Sequence, residues 1–153
     1  MGKLSEAERR ANYVRLRALF DAVVPDHARF TLVYATGVDV GLCDSVMLCV
    51  RVYTYTSYAV GFDAAANEIV VVPVARDLAT HGRPLYLRRD DITAARREFA
   101  SRQIRVSETS LPQGFVSFSV RPRITRDPEA VALLVSQEAE ARQFKEFFRS
   151  YRK

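Results

Sequence analysis

The stretch AVALLVSQEAEARQFKEFFRSY, residues 130–151, decides the fold, and two readings compete for it. Asp127 as a cap with Pro128 at the first helical position would start one long helix running to Tyr151. Alternatively, Val131, Leu133 and Val135 alternate as a strand over residues 130–135, and Ser136 caps a new helix with Gln137 and Glu138 in its first turn. Ala141, Phe144, Phe148 and Tyr151 then form one apolar stripe over residues 137–151. Strand followed by helix is the preferred reading, and it leaves an amphipathic terminal helix free to close a curved sheet.

Upstream of this stretch the two-residue period dominates. Residues 115–124 place Val116, Phe118, Val120 and Ile124 on one face and Ser117, Ser119, Arg121 and Arg123 on the other. Residues 103–107 set Ile104 and Val106 against Gln103, Arg105 and Ser107, and the LPQG turn at 111–114 joins the two strands. Residues 85–92 read as a further strand. Residues 90–101 stay open between strand and short helix, because Ile92, Ala95 and Phe99 also recur at helical spacing. Residues 47–62 and 69–74 are rich in Val, Ile, Tyr and Thr and flank the polar connection at 63–68, which predicts a hairpin whose strands are covered on both faces. Phe30, Leu32 and Tyr34 open the first strand, and the segment 37–45, with Gly37, Gly41, Asp39 and Asp44, reads as a loop interrupting it.

At the amino end, Ser5 and Glu8 form a capping box, Tyr13, Leu16, Phe20 and Val23 recur at helical spacing, and Pro25 stops the helix, predicted over residues 5–24. This helix is the expected outer cover of the sheet, with Arg9, Arg10, Arg15 and Arg17 on a solvated flank. The expectation for residues 1–153 is thus one α+β, mainly β domain, with a β-sheet body over 30–135 between two helices.

The order of elements resembles the pleckstrin-homology-like superfold, and bacterial members of it in particular. The likeness rests on FVSFSVRPRI (115–124), TRDPE (125–129), AVALLV (130–135) and QEAEARQFKEFFRSY (137–151), together with PLYLRRDDITAARREF (84–99) and RQIRVSET (102–109). It implies a bent antiparallel barrel or sandwich of seven strands, plugged at its open end by Phe144 and Phe148 of the terminal helix. The amino-terminal helix is extra to the minimal fold. The lysine and arginine signature of phosphoinositide-binding members is missing from the connection DAAANE at 63–68, taken here as the first hairpin turn. What the resemblance implies is a binding or adaptor module without a specified ligand.

Chemistry-bearing patterns are sparse. The chain has two cysteines, Cys43 and Cys49, and two histidines, His27 and His81, with no metal-ligand spacing, so no metal and no cofactor is expected. Cys49 reads as a buried free thiol. There is no GxSxG, and neighbouring Asp90 and Asp91 point to opposite faces of a strand, so the chain reads as a non-enzyme. No apolar run is long enough to span a bilayer, and no apolar leader follows Met1, which places the expected site of action in the cytoplasm.

Of 23 basic residues only Lys3, Lys145 and Lys153 are lysine, against 18 acidic ones, for a formal charge of +5. Arginine grips phosphate and carboxylate bidentately, although codon usage in a GC-rich genome yields the same excess. The expected function is a cytoplasmic adaptor for a protein partner, with a homodimer also open. The alternative is a binder of nucleic acid or an anionic surface through Arg105, Arg121 and Arg123, with Arg88, Arg89, Arg96 and Arg97 nearby in sequence and with Tyr53 and Tyr55 on one face of their strand and Tyr58 on the other.

Overall fold

The computed structural model describes residues 3–45, 48–99, 101–126 and 132–153, with the side chains of 39–54 left out. Helix α1 (Glu6–Val23) starts where the capping box places it: the Ser5 hydroxyl accepts the Glu8 amide at 3.2 Å and the Glu8 carboxylate accepts the Ser5 amide at 2.6 Å. It ends before Pro25, with the Val24 amide closing the last turn on Phe20. Seven antiparallel strands follow: β1 (Thr31–Ser45), β2 (Leu48–Asp63), β3 (Glu68–Pro73), β4 (Leu85–Arg88), β5 (Ala94–Arg97), β6 (Ile104–Ser107) and β7 (Phe115–Val120). Helix α2 (Glu138–Tyr151) closes the chain, and the sheet order is β4-β3-β2-β1-β7-β6-β5.

Seven strands at about 4.8 Å spacing would make a flat sheet roughly 29 Å wide, more than one helix about 10 Å across can touch. Yet α2 shares one core cluster with residues from every strand: Val33, Val60, Ile69, Leu87, Ala95, Ile104 and Phe118 all pack with Phe144, Phe147, Phe148 and Tyr151. The sheet is therefore curled into a half-barrel around α2. The opposite face of β1–β3 is covered by α1, where Tyr13, Leu16 and Phe20 meet Leu32, Tyr34, Ala59, Val70 and Val72. Alternation along β3 sends Ile69 and Val71 to α2 and Val70 and Val72 to α1, which is why that strand reads as an unbroken apolar run. The fold is mainly β, of the α+β class.

Several expectations need correction. Residues 37–45 are not a loop: β1 runs on to Ser45 in unbroken register with β2, from Thr31↔Phe62 to Ser45↔Leu48, and backbone pairing overrides the Gly and Asp content. The first hairpin is therefore β1–β2, with residues 46–47 between them outside the described residues, while DAAANE joins β2 to β3. Residues 94–97 are strand β5 and not a helix; Glu98 and Gln103 close its turn onto β6, and Ala95 exchanges both backbone hydrogen bonds with Lys153 on its outer edge. The strand begun at Leu85 stops at Arg88 and turns there instead of running to Ile92. Strand β7 ends at Val120, ahead of Pro122, which has no amide to donate; beyond it Ile124 crosses to the α1 cluster and leaves the face shared by Val116 and Phe118.

The decisive stretch falls between its two readings. Residues 132–135 are neither helix nor ladder strand, and Asp127 and residues 128–131 lie outside the described residues. The chain here makes one bridge, Arg123↔Ser136, plus an Ile124 amide bond to Val135. It cannot add a strand beside β1 because the edge at Tyr34 is taken by a side chain: Gln137, fully buried, accepts the Tyr34 amide at 2.7 Å and donates to the Tyr34 carbonyl at 2.9 Å. Gln137, not Ser136, holds the N-cap position, and Ser136 instead receives the Arg9 guanidinium. Arg9 is accordingly buried, contrary to the solvated flank expected of it.

Candidate anion-binding groove

Among the described residues, the histidines and aspartates named from the sequence are each engaged locally or exposed. His27 contacts the Val24 carbonyl and His81, exposed, contacts that of Gly82, far apart in the fold. Asp63 is occupied by Arg29 at 2.9 Å and by the Ala65 amide; desolvation raises its carboxyl, but the Arg29 bond and the turn amides outweigh this and hold it below the usual range. Asp90 and Asp91 are exposed in a turn. Among the described residues no group of three His, Cys, Asp or Glu could hold a metal, and no helix is long and apolar enough to cross a membrane. The Cys43, Cys49 and Tyr53 side chains lie outside those described; Tyr58 stacks edge-on against Phe118, and Tyr55 is exposed.

The three arginines singled out by alternation do not form one site. Arg105, on β6, is neutralised by Glu98 at 2.7 Å and lies 3.9 Å from the centre of the Phe115 ring. Arg123 is bound by Glu138 at 2.9 Å and Glu6 at 3.4 Å. Only Arg121 opens into a cavity.

That cavity is a groove of about 770 Å³ between α2 and the end of the sheet formed by β5, β6 and β7. Its floor is apolar, built of Ile104, Val120, Ala141 and Phe144. Its banks are cationic. Arg97 from β5, Arg102 from the β5–β6 turn and Arg121 beyond β7 line the sheet side, and Arg142 and Lys145 line the α2 side. All five are exposed and none has an ion pair among the described residues, while the only carboxylate on the wall, Glu138, is already committed to Arg123. A second cleft of about 710 Å³ continues it along α2, sharing Arg97 and Lys145 and adding Arg96, Arg149 and Arg152.

Local chemistry fixes these positions. The Arg121 carbonyl accepts Gln137 Nε2 at 2.8 Å, pinning the chain where it leaves β7. Arg97 shares with buried Ala95 the face turned towards α2. Arg102 sits at φ 58, in the left-handed region that closes the β5–β6 turn through its amide bond to Glu98. On α2 the cations Arg142, Lys145, Arg149 and Arg152 recur at spacings of three and four, one position after each member of the apolar stripe.

Compared with known protein families, curated proteins and solved structures, this chain matches none. The geometry alone therefore carries the functional reading. Arginines with no ion pair among the described residues, over an apolar floor, offer bidentate hydrogen bonds to phosphate or carboxylate. Sequence reasoning missed this bank although its signal was present: the Arg142, Lys145, Arg149, Arg152 period lies beside the aromatic stripe that was read. Arg97 and Arg102 carried no comparable period, since a turn and a sheet edge bring them there.

Proposed function

We propose that the protein is a non-enzymatic binding module, a variant of the pleckstrin-homology-like architecture, whose partner presents an anionic group to the groove between α2 and β5–β7. The observation that carries this is five cations facing one groove, none ion-paired among the described residues, with the one described carboxylate on its wall already paired. Like charges held this close repel one another, and an anionic partner relieves that cost. The curled seven-strand sheet around α2 supports the architectural reading, although the chain enters α2 from an irregular segment, not straight from a strand. The cytoplasm is the proposed place of action, where polyanions and acidic partners abound.

The test is titration with inorganic polyphosphate by calorimetry, for the wild type and an Arg121→Glu, Arg142→Glu double variant. Both residues are exposed, so the fold is expected to persist, which unchanged thermal unfolding checks. The expected outcome is wild-type binding that weakens steeply with salt and a loss of at least about tenfold in the variant. Equal affinity of the two proteins, or no wild-type binding at low salt, overturns the proposal.

A further inference from the structure

Beside the groove, Phe99 stands in the β5–β6 turn with its side chain completely exposed, at 101% of the reference area. It belongs to the same turn as Arg102, two residues after Arg97 ends β5, and the turn is braced: Glu98 and Gln103 bond through their backbones at 2.8 Å, Arg102 returns its amide to Glu98, and the Ser101 hydroxyl donates to the Glu98 carboxylate. An aromatic ring held in water on a short, hydrogen-bonded turn beside a row of cations offers a free face on which a planar group can stack.

Resting on the anionic reading of the groove above, we infer that its ligand is single-stranded nucleic acid, with phosphates running between the α2 and sheet banks and a base stacked on Phe99. Three features favour this over other anions. The groove is long: the two adjoining clefts follow α2, whose 14 residues span about 21 Å, and the cations Arg142, Lys145 and Arg152 are strung along it, with Arg149 between them shared with Glu146 at 3.2 Å, as a polymer of phosphates requires and a single headgroup does not. It is concave, a shape that a flexible strand follows more closely than a flat bilayer does. Among the described residues Phe99 is also isolated: the other exposed large apolar residues, Val14, Tyr55 and Tyr86, lie on α1, β2 and β4 and form no patch with it. One ring beside a row of arginines is the combination by which sequence-tolerant binders hold unpaired strands, since every base has a face to stack and every nucleotide a phosphate to pair. A duplex keeps its bases stacked and has none to offer Phe99.

The experiment compares Phe99→Ala, Arg142→Glu with Lys145→Glu, and wild type, each titrated with labelled oligo(dT) and oligo(U) of about twelve nucleotides, the matching duplex, inorganic polyphosphate, and vesicles of phosphatidylcholine with one-fifth phosphatidylserine. Phe99→Ala is expected to weaken single-strand binding about 5- to 100-fold while leaving polyphosphate unchanged, and the α2 double variant to weaken both. A preference between the two oligonucleotides identifies RNA or DNA as the source of the strand. If polyphosphate binds but Phe99→Ala leaves oligonucleotide affinity intact, or the duplex binds as well as the single strand, the nucleic-acid inference fails and the anionic groove stands. Vesicle binding that depends on Phe99, without oligonucleotide binding, overturns it in favour of a membrane surface. If no anion binds, both readings fall.

Discussion

Two glutamines perform the work of missing strands. Strand β1 meets β7 over only Ala35↔Val120 and Thr36↔Ser119, yet its outward backbone groups are satisfied on either side. Gln137 serves the amide and carbonyl of Tyr34, and Gln103 serves those of Val38, at 3.2 and 3.3 Å. Each side-chain amide, with one acceptor and two donors, imitates a peptide group of an adjacent strand. Gln137 also holds the Arg121 carbonyl, so Gln137→Leu strands three buried or half-buried backbone groups at once. At about 1–3 kcal/mol for an unsatisfied group, partly relieved by water at Arg121, the expected loss is about 2–4 kcal/mol in urea unfolding. Gln103→Leu, at a half-buried site, is expected to cost about 1 kcal/mol or less. A Gln137 variant no worse than the Gln103 one would show that the amide is dispensable. None of this was legible in the sequence, where Gln137 reads only as a first-turn residue: its role depends on an edge 103 positions away.

At the level of elements, the helices and β3 were readable because their periods record which faces are buried. β1 was truncated in the reading because glycine and aspartate signal turns locally, whereas register with β2 is a non-local fact. β5, with the sequence AARR, has weak strand preference and is held by β6 on one side and Lys153 on the other. The docking of α1 is one element whose strength can be read by pH. The Tyr13 hydroxyl donates to the Leu32 carbonyl at 2.7 Å, and burial, assisted by the charge of Glu140 and opposed by Arg10 and Arg17, pushes it up to about 12 from the ordinary 10. The folded state therefore favours the protonated phenol. Its contribution is fully present below pH 10 and is lost as pH rises from there through about 12, amounting to about 2–3 kcal/mol at most. Tyr13→Phe is expected to be less stable than wild type by about 1 kcal/mol at neutral pH, with the gap closing or reversing across that alkaline window. Tyr151, also raised by burial, titrates in both proteins and cancels from the difference. A gap that stays constant in urea unfolding across the window would mean that Tyr13 does not carry the alkaline sensitivity.

The whole molecule divides into a body and an arm. The body is the curled sheet with α2 inside and α1 outside, and the groove belongs to it; no local period could show that residues 97, 102 and 121 come to face the cations of α2, because curling creates that proximity. The arm is the outer part of the β1–β2 hairpin. β2 leaves β3 at Tyr58↔Pro73 and β1 leaves β7 at Thr36↔Ser119, so from Val38↔Tyr55 to Ser45↔Leu48 the two strands pair only with each other, over roughly 25 Å. An isolated two-stranded ribbon is marginally stable, so it adds little to the stability of the body. Removing residues 39–44 together with 49–54 tests this without disturbing register. Each strand loses the same even number of residues, so Ser45↔Leu48 falls next to Val38↔Tyr55 with faces and hydrogen-bond alternation kept. The shortened protein is expected to unfold within about 4 °C of the wild type, which for a chain of this size corresponds to roughly 1 kcal/mol, and to bind polyphosphate with unchanged affinity. A fall beyond about 10 °C would show that the arm packs on the body, and lost anion binding would move the groove's partner surface onto the ribbon.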